Sequence, residues 1–144
     1  MIAPAAAELQ SSLIELLDLA LQGKQAHWNV VGPLFRPVHL ELDDIVESAH
    51  AAVDTVAERL SALGEVPDGR AATVATSTPF ESFPEGTVAD RDAVSLIGVR
   101  IDLLTAHLRE RIGRRGADPV SQGILIGIEE AFEKHAWMLR VQLR

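Results

Sequence analysis

Cysteine is absent from the 144 residues, and lysine occurs only at Lys24 and Lys134. The first absence excludes disulfide bracing, thiolate metal sites and cysteine nucleophiles. The second, with a formal net charge of −8, argues against a nucleic-acid partner, because phosphate binding relies on Lys and Arg neutralisation. No apolar run is long enough to span a membrane, and no secretory leader opens the chain. A soluble, cytoplasmic protein is therefore expected, with an acidic surface compatible with attracting metal cations.

What is present is 47% hydrophobic residues, enough for one domain over 1–144 with a real core. Apolar residues recur at helical spacing in four stretches. The first, 4–31, opens at Pro4 and carries Leu9, Leu13, Leu16, Leu17, Ala20 and Leu21, with Lys24 in the same period. Gly32-Pro33 breaks the chain, and a second helix over 35–63 tolerates Pro37 in its first turn and stops at Gly64. Residues 65–86, rich in Pro, Gly, Ser and Thr, form a long crossover with room for a short helix at AATVATS. A third helix spans 88–115, with Gly116 as its cap, and a fourth opens at Asp118-Pro119 and runs to about Leu143. Four amphipathic helices with one long crossover after the second make an all-α, four-helix bundle of ferritin-like connectivity.

The stretch from His27 to Glu58 holds five candidate metal ligands: His27, His39, Asp43, Asp54 and Glu58. His39 and Asp43 lie four apart on the second helix, as do Asp54 and Glu58, so each pair shares a face. Imidazole nitrogen with carboxylate oxygen suits a borderline divalent ion such as Fe(II), Mn(II) or Zn(II). From Asp43 to Asp54 is eleven residues, nearly three full turns, so both pairs point the same way but stand roughly 16 Å apart along the axis. Metal–ligand bonds are about 2 Å long, so one ion cannot join the pairs within one helix. A second copy laid antiparallel across a two-fold axis sets His39 and Asp43 of one chain against Asp54 and Glu58 of the other, giving two identical sites. The midpoint falls near Ser48 and Ala49, where small residues (Ser48, Ala49, Ala51, Ala52) suit a close helix crossing. Around the helix, Leu42, Ile45, Val46, Val53, Val56, Leu60 and Leu63 form an apolar stripe away from the ligand sector, which also holds Glu47 and His50.

These residues resemble a known family. His27-Trp28, Val30 and Gly32, then Val38-His39 and Asp43, are similar to the first signature of the Dps proteins, the mini-ferritins of starved bacteria. Val53-Asp54, Val56-Ala57-Glu58-Arg59, Leu63-Gly64 and Pro67 are similar to the second. The resemblance implies a homododecamer, hollow and spherical, with iron bound between two-fold-related subunits. His27, His39 and Asp43 would come from one subunit and Asp54 and Glu58 from its mate, with Trp28 supporting the site. The implied activity is that of a ferroxidase, which oxidises Fe(II), preferably with hydrogen peroxide, and stores Fe(III) mineral in the cavity against oxidative stress. The resemblance leaves open a single iron or a di-iron pair, and oxygen is the other candidate oxidant. In that reading the histidines supply neutral nitrogens and leave positions open for the oxidant. Asp43 and Glu58 supply anionic oxygens that favour Fe(III). Asp54 hydrogen-bonds a ligand or holds a second iron.

Two departures qualify the resemblance. Many members bind DNA through a lysine-rich tail, whereas only three residues precede Pro4 here; no appreciable DNA binding is expected, and a nucleoid-associated, DNA-protecting structural protein is the alternative. The family's iron pore is lined by acids early in the fourth helix, where this chain offers Asp118, then Glu129, Glu130 and Glu133. Arg109, Arg111, Arg114 and Arg115 are expected to cap the third helix or pair across an interface. His50, His107 and His135 are read as ordinary surface or interface histidines. Glu47-x-x-His50 mimics half of an intrabundle di-iron site, but the fourth helix lacks a matching Glu-x-x-His, which disfavours an organic-substrate oxidase.

Overall fold

The computed structural model describes residues 3–114 and 116–144. The expectation for Arg115 lies outside them. The chain runs α1 (Ala6–Asn29), β1 (Val30–Val31), α2 (Phe35–Ala62), α3 (Ala71–Ser77), β2 (Val88–Ala89), α4 (Asp90–Ile112) and α5 (Pro119–Val141). α1 packs along α2 and α4 along α5, and α1 and α2 also touch α4. The short crossover helix α3 packs on α1.

Sequence and structure differ mainly at element ends. Val30 and Val31 are not the last residues of the first helix but pair in parallel with Val88 and Ala89, which are not the first of the third. This small parallel ladder joins the segment entering α2 to the segment entering α4. α4 stops at Ile112 with Gly113 as its C-cap, so Gly116 does not cap it but sits in the loop before α5. α5 ends at Val141.

The core follows the helical period. Leu9, Leu13, Leu16 and Leu19 of α1 meet Leu42, Ile45 and Leu60 of α2, Ile97, Ile101, Leu104 and Leu108 of α4, and Phe132 of α5, all essentially inaccessible to solvent. Each such side chain contributes about 1.5–3 kcal/mol when fully buried. The crossover is fastened at both ends. Gln10 Nε2 donates to the Asp68 carbonyl at 2.8 Å while the Asp68 amide donates to Gln10 Oε1 at 3.0 Å. Further on, the buried Arg100 guanidinium binds Gln22 and the carbonyl of Glu81.

Candidate metal centre

The turn from α1 into α2 places the candidate ligands. Gly32 adopts a φ of 126°, and a Cβ there would lie 2.6 Å from Asp90 Oδ2. That oxygen accepts the Leu34 amide at 2.8 Å. Only glycine lets the backbone pass the buried carboxylate in this conformation. The turn is thus tied to the first residue of α4. Lower down, a Cβ on Gly23 would meet Val46 Cγ2 at 2.7 Å, so a glycine also lets α1 and α2 approach closely. The last turn of α1 is thereby set beside the first turns of α2.

There His27 and His39 stack, with ring centroids 3.6 Å apart and planes 11° from parallel. His27 Nδ1 lies 2.7 Å from the His39 carbonyl oxygen, and His39 Nδ1 lies 2.7 Å from the His27 carbonyl oxygen. A carbonyl only accepts, so both Nδ1 atoms must carry the hydrogen. In the neutral rings both Nε2 atoms then present lone pairs, the form a metal requires. Backbone carbonyls commonly orient metal-binding imidazoles in this way. Phe35 stacks on the His39 ring at 4.9 Å. His27 Nε2 is 4.0 Å from Asp43 Oδ1, and the same oxygen accepts a hydrogen bond from the Lys24 ammonium. The Lys24 contact holds the Asp43 carboxyl below the usual carboxylate range.

Asp54 and Glu58 lie further along the same helix, exposed, and among the described residues neither makes a side-chain hydrogen bond or ion pair. Helical rise still sets them roughly 16 Å from the first pair. Among the described residues of one chain, no three His, Asp or Glu side chains gather closely enough to hold an ion. His27 stacks on His39 and lies 4.0 Å from Asp43, short of a complete cluster, and Asp54 and Glu58 are not brought to them. The donor set of two oriented imidazoles and a carboxylate fits Fe(II) chemically, as part of a larger set. Trp28, beside His27, is 68% exposed, and Val31, Leu34, Phe35 and Leu40 are exposed around the same turn.

The midpoint of α2 corrects one expectation. Ala49 and Ala52 are buried in this chain's own core, and Ser48 Oγ is 2.8 Å from His135 Nε2 of α5. Ser48, Ala49 and Ala52 therefore serve the bundle, whereas Ala51 lies on the outward face with Glu47 and His50. His135 is likewise no surface histidine: it is 8% exposed, its Nδ1 has no partner among the described residues, and burial lowers its pKa. His107 binds Glu15, a carboxylate only 1% exposed that also binds Arg111. The arginines at and just past the end of α4 pair within the chain: Arg109 with Glu129 and Glu133, Arg114 with Glu8. Asp118 caps α5 by accepting the Ser121 amide at 2.8 Å and hydroxyl at 2.6 Å, and it also accepts from Arg59 at 2.7 Å. These bonds, Ser121's foremost, bring its pKa down to about 2. Lys24 is the residue at this centre that sequence reasoning assigned only to the period of α1. Its place three before His27 is the one local signal that it shares their face.

The ferritin-like domain model matches residues 6–144. The chain is 34% identical to DNA protection during starvation protein 2 of Deinococcus radiodurans over 94% of its own length and 57% of that protein's. It is 34% identical to the DNA protection during starvation protein of Mycolicibacterium smegmatis, over 94% of this chain and 74% of the relative. The chain thus spans little more than half of the first relative's length and about three quarters of the second's. Among solved structures, Dps from Microbacterium arborescens in the high iron form superposes with a TM-score of 0.90 at 35% identity, covering 99% of this chain and 94% of that one.

Proposed function

The chain belongs to the Dps group of ferritin-like proteins, and from that membership we propose that it is a ferroxidase and iron store whose reaction site is shared by two copies. The observation that carries this reading is the crossed pair of hydrogen bonds that leaves Nε2 of both His27 and His39 as lone-pair donors, that of His27 4.0 Å from Asp43 Oδ1. The half-site lacks the anionic ligands that Asp54 and Glu58 of a two-fold mate would supply. Trp28 and the apolar residues around it are exposed in one chain and would be covered by that mate. Closure of such pairs into a hollow dodecamer is part of the same reading.

Fe(II) is the substrate. Two Fe(II) each give up one electron, and the O–O bond of hydrogen peroxide takes both electrons and two protons to leave as two waters. His27 and His39 bind and orient without adding charge. Asp43 and the mate's carboxylates stabilise the product more than the substrate, because they face a higher positive charge after oxidation. Peroxide consumed two electrons at a time releases no hydroxyl radical. Protection of DNA, named in the relatives, then follows from removing Fe(II) and peroxide together. With a net charge of −8 and two lysines, direct DNA binding is not part of this proposal. No helix among the described residues is long and apolar enough to cross a membrane, and a cytoplasmic site of action is proposed.

The test is anaerobic addition of Fe(II) followed by peroxide. An Fe(III) absorbance band should rise with two irons consumed per peroxide. An unchanged rate in the His39→Ala, Asp43→Ala double variant would overturn the reading.

A further inference from the structure

We propose that Lys24 is a resident competitor for the metal position, so that an ion reaches this half-site by exchange with an ammonium and not by filling an empty carboxylate. The inference rests on the shared site described above and concerns what regulates its occupancy. Lys24 and His27 lie three apart on α1 and share a face. The Lys24 ammonium donates to Asp43 Oδ1, and His27 Nε2 lies 4.0 Å from that same oxygen. An ion bonded at about 2 Å to both His27 Nε2 and Asp43 Oδ1 would lie between those two atoms. The ammonium is hydrogen-bonded to the oxygen the ion would use, and two cations cannot share it at that range without strong repulsion.

The contact is also built to be released. The Lys24 side chain is 33% exposed and that of Asp43 49%, so water can solvate both groups once they part. A lysine is a compact point charge on a flexible four-carbon stem, able to swing away without moving backbone. Exposed pairs of this kind are weak. Meanwhile the ammonium keeps the carboxylate charge balanced in a region where two more carboxylates from a mate would converge. Lys24 is thus a positioning residue that sets affinity and discriminates against weakly held ions.

The experiment uses the intact assembly and Co(II), a divalent ion that does not consume peroxide, titrated at fixed pH with the visible band of the bound ion as the readout. Lys24→Met should bind Co(II) about two- to fivefold more tightly than the parent, the span an exposed ion pair covers. Lys24→Arg, which keeps the charge, should stay near the parent. A crystal structure of the Co(II)-loaded parent should place Lys24 Nζ beyond hydrogen-bond distance of Asp43. Unchanged or weaker binding in Lys24→Met, with melting showing a folded protein, would overturn the proposal, as would a loaded site in which the Lys24–Asp43 contact persists. Asp43→Asn is the control: if it too leaves Co(II) binding unchanged, the shared metal site itself is wrong.

Discussion

His27 and His39 each hold the other's main chain: the Nδ1–H of each ring donates to the carbonyl of the other residue at 2.7 Å. The two rings are therefore both structural and chemical. One nitrogen of each closes the α1–α2 turn, and the other is left for a ligand.

That division of labour can be separated by substitution. His27→Asn places an amide N–H near the position of Nδ1 and nothing at Nε2. It should keep most of the stability that His27→Ala loses, about 1 kcal/mol for one hydrogen bond, while both variants lose Co(II) binding alike. Urea unfolding beside metal titration checks it; equal destabilisation by Asn and Ala would show that the crossed bonds contribute little.

At the turn, Gly32→Ala adds a Cβ 2.6 Å from Asp90 Oδ2 in a backbone conformation that side chains rarely adopt. The expected cost is about 1–3 kcal/mol. Because the turn also sets where α2 begins, metal binding should weaken with stability. Asp90→Ala, by contrast, frees the space but strands the Leu34 amide. The double variant should therefore be less unstable than the two costs added, which a denaturation series on all four proteins would read.

Much of this was legible in the chain. The spacing of Leu9, Leu13 and Leu16, and of Leu42, Ile45, Val56 and Leu60, is a helical period with one buried face, and Pro and Gly marked the breaks. That Asp43, Asp54 and Glu58 lie on the exposed side of α2 was legible too, because 3.6 residues per turn decides which residues share a face. The two-residue ladder of Val30–Val31 with Val88–Ala89 was not, since each strand is too short to show a period and its partner is remote in sequence. Nor were the crossed histidine bonds, which run to main-chain oxygens that carry no residue signal. Gly116 misled because a glycine just past a helix reads as its cap, whereas Gly113 comes first. Ser48, Ala49 and Ala52 misled because small residues serve a close contact on either side of a helix, and composition does not say which.

Burial of His135 predicts an acid response. Desolvation lowers its pKa from the ordinary 6.5, so the folded state prefers the neutral ring. The stability this preference contributes is present above pH 6.5 and is lost as pH falls through the lower folded value. The midpoint of thermal unfolding should drop between pH 7.5 and 5.5 in the parent, and by less in His135→Gln. An identical drop in both would assign the acid response elsewhere.

Asp118 gives the opposite window. Its folded pKa of about 2 lies below the ordinary 3.8, so its contribution is complete above pH 3.8 and fades as pH falls through about 2. Asp118→Ala removes the cap of α5 and leaves Arg59 without its carboxylate. A loss of about 1 kcal/mol near neutral pH is expected, most of it recovered in Asp118→Asn, which still caps. Circular dichroism during urea unfolding would measure it, and a neutral Asp118→Ala would mean the α5 terminus is held by packing alone.

The Glu15 network should be the least tolerant of change. Glu15 is almost wholly buried and binds both His107 and Arg111. Glu15→Ala strands a guanidinium between α1 and α4, at an expected cost of about 3–5 kcal/mol. If urea unfolding shows less than about 1 kcal/mol, water must reach the pair more freely than its burial implies.

The second helix has two sides: Leu42, Ile45, Val56 and Leu60 hold the bundle, while Asp43, Asp54 and Glu58 are exposed. The outward carboxylates can thus be exchanged without opening a void, and the inward residues can drift without re-aiming a ligand. Under the proposed function, a chain wired this way can trade one ion preference for another, or lose that chemistry altogether and keep its bundle.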